Sequence, residues 1–173
     1  NCSRSSLQYC TLTTAPPRFR WHLAPSRLAK MYPTVNPTCW NCKGNNGTFF
    51  HLWWKCPEIT KFWIRIKVWI EEIIQDRLEW KPELFLLGII KRDYSLRVRS
   101  LIIHILTVTR YFTGILLENP NVPPLYFVIQ KIYQCAEMER LILKLKEKDD
   151  MEYYRIWDKW DLWIDRKEKL CIK

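Results

Sequence analysis

Glycine is scarce, four in 173 residues, and none of the patterns G-x-x-x-x-G-K-[ST], G-x-G-x-x-G or G-x-S-x-G occurs. A phosphate-cradling loop and a strained nucleophile elbow are excluded with them. Acidic residues are missing from positions 1–56, which hold Arg4, Arg18, Arg20, Arg27, Lys30, Lys43 and Lys55 and no counter-charge. Apolar runs are short: Leu84–Leu87 stops at Gly88, and His104 interrupts the run around Leu101. Nothing approaches the ~20 residues that cross a bilayer, so the chain is expected to be soluble and to have no membrane partner. Carboxylates arranged to hold divalent ions are lacking too. The adjacent Asp149–Asp150 falls in the charged run Glu147–Asp150 and reads as a solvated boundary between helices. The chain is therefore expected not to be an enzyme by itself.

What is there begins with cysteine. Seven cysteines, an odd number, with no N-terminal signal sequence, predict reduced thiols and an intracellular setting. The start on Asn1 in place of Met suggests a processed product or a piece of a longer reading frame. Three of the cysteines join His51 in C-x(2)-C-x(8)-H-x(4)-C: Cys39, Cys42, His51 and Cys56. Cys3His is a common structural zinc set, and four protein ligands close the site to catalysis. Gly44, Asn45, Asn46 and Gly47 supply the residue types that reverse a chain and return His51 to the first pair. His51 and Cys56 lie five steps apart, about 140° on an ideal helix, so they cannot ligate from one α-helical face. Pro57 predicts that the helix starts there, with Cys56 as its N-cap and the helix dipole favouring a thiolate. The competing reading is of buried reduced cysteines around a core histidine.

The net charge of +10 is unevenly spread: +7 falls in residues 1–56 and +3 in the other 117. An acid-free basic segment ending in a metal module fits a polyanionic partner. The candidate nucleic-acid contacts are Arg18, Arg20, Arg27, Lys30, Lys43 and Lys55, with Trp40, Trp53 and Trp54 as stacking surfaces beside Phe49 and Phe50. Some of these aromatics must pack against the helix that begins at Pro57. Arg92, Arg97, Arg99 and Arg110 form a second basic strip, read as either a solvated face or a phosphate contact.

The fold class predicted is mainly α, a small zinc-knuckle-like module followed by an irregular helical domain of about four helices. Residues 1–19 read as disordered or foreign to the domain, 20–56 as a basic arm and knuckle, and 57–173 as the helical domain. A short helix is expected from Pro25–Ser26 to about Lys30, with Pro33 and Pro37 carrying an extended link to the knuckle. Ile59, Phe62, Trp63, Ile66, Ile70, Ile73 and Ile74 recur at helical spacing, and Ile64, Val68 and Trp69 suggest cover on more than one side. Residues 81–92 read as a buried connector or single turn, with a short strand as the alternative. Further helices are expected over about 95–118, to about Lys148 after the breaker at 119–124, and from about Asp150. In the last, Tyr153, Trp157, Trp160 and Ile164 form an aromatic stripe that reads as packing surface. His104 reads as a hydrogen-bonded core histidine and His22 as a surface residue.

Four runs, RWHLAPSRLAKMYP, CWNCKGNNGTFFHLWWKCPEITKFW, KPELFLLGII and CAEMERLILKLK, carry a family likeness. Over Arg20–Asp165 the chain resembles the C-terminal part of the second-open-reading-frame protein of vertebrate LINE-type non-LTR retrotransposons. The resemblance implies a cysteine-rich tail of an endonuclease and reverse transcriptase that contacts RNA and supports target-primed reverse transcription. Cys39, Cys42, His51 and Cys56 carry over as ligands, whereas the family's endonuclease and polymerase residues have no counterpart. The implied partners are RNA or single-stranded nucleic acid and the rest of the polyprotein, and the implied location is nucleus and cytoplasm. The alternatives are a structural module docked on the polymerase domain and a non-functional remnant of an element.

Overall fold

A computed structural model describes residues 23–44, 46–118 and 125–171, with side chains omitted at 116–118 and 168–171. The expectations for residues 1–19, His22, Arg18, Arg20 and the breaker at 119–124 lie outside the described residues. Among those described, the chain is mainly α-helical and contains no strand. It runs α1 (Pro25–Met31), a π-helical turn (His51–Lys55), α2 (Pro57–Ile74), α3 (Pro82–Leu87), α4 (Leu96–Glu118), α5 (Leu125–Leu145) and α6 (Asp150–Cys171). No helix among the described residues is long and apolar enough to cross a membrane.

The proline rule sets three of these starts, because a ring with fixed φ and no N–H suits the first helical turn. Pro25, Pro57 and Pro82 each open a helix, preceded by Ala24, Cys56 and Lys81 in extended conformations. Left-handed residues stop two of them: Gln75 at φ 55° after α2 and Gly88 at φ 72° after α3. Residues 82–87 are thus a short capped helix, the single-turn alternative in slightly longer form. The link from α1 to the knuckle is not extended throughout. Val35 N–H bonds the Tyr32 carbonyl at 3.0 Å, closing a turn over Pro33 and Thr34.

In α2, Ile59, Phe62, Trp63, Ile66, Trp69, Ile70, Ile73 and Ile74 are all buried. The π-helical turn, α4 and α6 pack against the helix. The broader cover suggested by Ile64, Val68 and Trp69 is found at Trp69, which is buried, but not at Ile64 and Val68, which are exposed beside Lys61 and Arg65. The stripe on α6 is core: Trp69 meets Trp160 and Trp163 edge-on with centroids 6.0 and 5.8 Å apart. The indole N–H of Trp157 donates to Glu139 on α5 at 2.8 Å. His104 is buried as expected, its Nδ1 2.8 Å from the Ser100 carbonyl. Leu52, Trp53 and Cys56 join the same buried cluster as the helices, so the metal-ligand region and the helical body share one core.

The basic strip on and before α4 is spoken for inside the fold. Arg92 pairs with Asp76 at 2.9 Å, Arg97 with Asp158 at 3.4 Å, and Arg99 donates to the Ile90 carbonyl at 2.9 Å. Burial lowers the pKa of Arg110, whose guanidinium donates to the Leu86 carbonyl at the end of α3 at 3.1 Å. There it complements the negative end of that helix.

Ile70 lies at zero exposure in the middle of the α2 stripe. Ile70→Ala is expected to cost about 2–5 kcal/mol in urea unfolding. Ile64→Ala should stay within about 0.5 kcal/mol. Equal losses at the two positions would contradict the described orientation of α2.

Candidate metal centre

The four residues singled out by spacing converge. The ligand atoms of Cys39, Cys42, His51 and Cys56 all lie within 4.8 Å of one another, so the cluster can hold a metal ion. Cys39 Sγ and Cys56 Sγ are 3.8 Å apart, and Cys42 Sγ is 3.3 Å from His51 Nε2. Cys39, His51 and Cys56 are buried and Cys42 is half-buried.

Each ligand is placed by local backbone chemistry. After Cys39 the chain turns back at once, with the Lys43 N–H on the Cys39 carbonyl at 3.0 Å and Lys43 left-handed at φ 60°. Thr38 and Asn46 form an isolated antiparallel bridge, and Gly47 N–H reaches the Pro37 carbonyl at 2.7 Å, closing the loop. Gly47 also lies against Pro25: a Cβ there would sit 2.7 Å from the ring, so only glycine lets α1 dock on the loop. The Thr48 hydroxyl accepts the His51 N–H at 3.1 Å and caps the turn that carries the imidazole. Thr48 standing three residues before His51 is the signal that could have identified it.

The five-step separation of His51 and Cys56 is resolved by a π-helical turn. Cys56 N–H bonds the His51 carbonyl at 2.7 Å, an i to i+5 closure that widens the helix by one residue. Both residues thereby face the same point, which α geometry forbids. Cys56 then takes the extended conformation, φ −62° and ψ 128°, and caps α2 as the proline rule predicts.

The electrostatics differ from the expectation of a stabilised thiolate. Burial pushes the Cys56 thiol up to about 11, outweighing the Glu58 and Ile59 N–H groups that favour the anion, and Cys39 adds to the rise. A cation shared among the sulfurs is what reverses this balance.

The predicted nucleic-acid contacts divide. Arg27, Lys30, Lys43 and Lys55 are exposed and make no ion pair among the described residues, and Lys55 Nζ lies 5.5 Å from the centre of the Phe50 ring. Trp53 is a correction: at 7% exposure it is core, its carbonyl accepting the Trp63 indole N–H at 2.9 Å and its ring lying against Gly114. Trp54 is half-buried against Trp80 and Phe85, centroids 4.6 and 5.6 Å away, and Trp40 is half-buried against the core. Phe49 and Phe50, named beside these tryptophans, are exposed, as is Tyr32. Arg18 and Arg20 lie outside the described residues.

Cys42 is the most accessible of the three thiols, so serine is tolerated there sterically. Native mass spectrometry is expected to find one metal ion per chain in the wild type and none in Cys42→Ser. An ion retained by the variant would mean that the cluster is not the site. No family model matches the chain, and no solved structure matches it.

Proposed function

We propose that the chain is a non-catalytic, zinc-stapled nucleic-acid-binding module, the RNA-contacting tail of a LINE-type reverse transcriptase that supports target-primed reverse transcription in the intact protein. The donor set supports zinc: three thiols and an imidazole are soft and borderline ligands, and four of them leave no position for substrate. Zinc about 2.3 Å from sulfur and 2.0–2.1 Å from nitrogen spans tetrahedral edges of about 3.8 Å between sulfurs and 3.6 Å from sulfur to nitrogen. The separations of 3.8 and 3.3 Å approach these. The ion is structural in this reading, and the partners are RNA, or single-stranded nucleic acid generally, and the rest of the polyprotein, in nucleus and cytoplasm.

One observation carries the RNA reading. The four arginines of the strip on and before α4 are engaged with carboxylates or carbonyls. The four described cations between Arg27 and Lys55 have no acid to pair with in their own segment and form no ion pair among the described residues. Cations carried by α1, the loop and the π-helical turn of one acid-free segment offer contacts for phosphates. A docking role on a polymerase domain is the second reading. It is favoured by the exposed Tyr126, Phe127, Tyr133, Met138, Leu141 and Leu145, which add an apolar face to α5 opposite its core side.

Lys43 separates charge from folding, because its left-handed backbone suits asparagine at least as well as lysine. Binding of a single-stranded RNA oligomer is expected to weaken with salt, the logarithm of affinity falling by about 0.7 per phosphate contact per logarithm of salt. Lys43→Asn should reduce that slope by about one contact with the thermal midpoint unchanged or raised. An affinity indifferent to salt would sink the RNA reading.

A further inference from the structure

We infer that Phe49 is a base-stacking site, the open end of an aromatic column, so that the module takes an unpaired nucleotide and not merely a phosphate backbone. The inference rests on the nucleic-acid reading above and adds to it the strand state of the ligand and the residue that reads it. The column starts in the core. The backbone of Trp53 is held by the bond from the Trp63 indole to its carbonyl, and its ring is buried next to Gly114 on α4. Phe49 lies on Trp53 with ring centroids 5.6 Å apart and planes 26° from parallel, yet it remains 48% exposed. One face of the phenyl ring is thus supported by buried indole while much of the ring meets solvent.

Such a ring is already immobilised, so a nucleobase laid on it loses only its own freedom. Every base has an apolar face, which makes the contact tolerant of sequence, and in a duplex that face is already stacked. The charges agree. Phe50 is also exposed, with the Lys55 ammonium over its ring, and the segment has no carboxylate to repel a phosphodiester. A base on Phe49 therefore meets a segment that carries cations and no acid of its own. Trp53 serves as the foundation of the column and contributes no accessible face of its own.

The test uses the full chain loaded with zinc and two probes of equal length and charge, a single-stranded oligouridine and the same strand with abasic residues. The wild type is expected to bind the base-bearing strand about tenfold more tightly, the scale of one stacked base. Phe49→Leu, which keeps an apolar cover on Trp53, should abolish that preference while leaving abasic affinity and thermal midpoint unchanged. Lys43→Asn should weaken both probes equally. Salt-dependent binding of both strands with no base preference, or a preference that survives in Phe49→Leu, overturns the stacking site but leaves the RNA reading in place. Absence of binding to either strand overturns both.

Discussion

Two sulfur atoms with no solvent exposure, 3.8 Å apart at the foot of an 18-residue helix, face a simple electrostatic choice. Without a cation burial raises the pKa of the Cys56 thiol, and with one the sulfurs share a single positive charge centre. Much of the amino-terminal part follows from that constraint. The segment 23–56, which among the described residues forms only short helical pieces and no strand, is too short to hold a fixed shape by burial alone. Joined at Cys39, Cys42, His51 and Cys56, it becomes a loop that α1 can dock on and that α2 can grow from.

The same constraint explains why the ligand region is continuous with the helical body. The π-helical turn that aims His51 also sends Leu52 and Trp53 inward. Trp53 bonds α2 through Trp63 and lies on α4 at Gly114. Changes at the metal centre are therefore transmitted directly into the core. The surface left over is unusually one-sided in charge, because the acids that neutralise the helices are all carried by residues beyond Cys56.

The α2 stripe and the ligand set were legible in the sequence because both depend on short-range spacing. Apolar residues three and four apart can only share a helical face, and a C-x-x-C pair with a return histidine has few uses. What was not legible depended on long-range neighbours. Nothing local says that Arg97 will meet Asp158, 61 residues away, or that Ile64 and Val68 will find no helix to cover them. Among four adjacent aromatics, composition cannot say which pair points inward. The i to i+5 closure at Cys56 decides it, turning Trp53 toward Gly114 and leaving Phe49 outside. The α-helical spacing rule correctly excluded a regular helix between His51 and Cys56 but carried no sign of the wider turn that replaced it.

The central claim is that three thiolates and one imidazole of this chain close around a single zinc ion. X-ray absorption at the zinc edge reads that shell directly. The account predicts three sulfur scatterers at about 2.3 Å and one nitrogen at about 2.0–2.1 Å. A shell of oxygen and nitrogen alone, or fewer than three sulfurs, would contradict it.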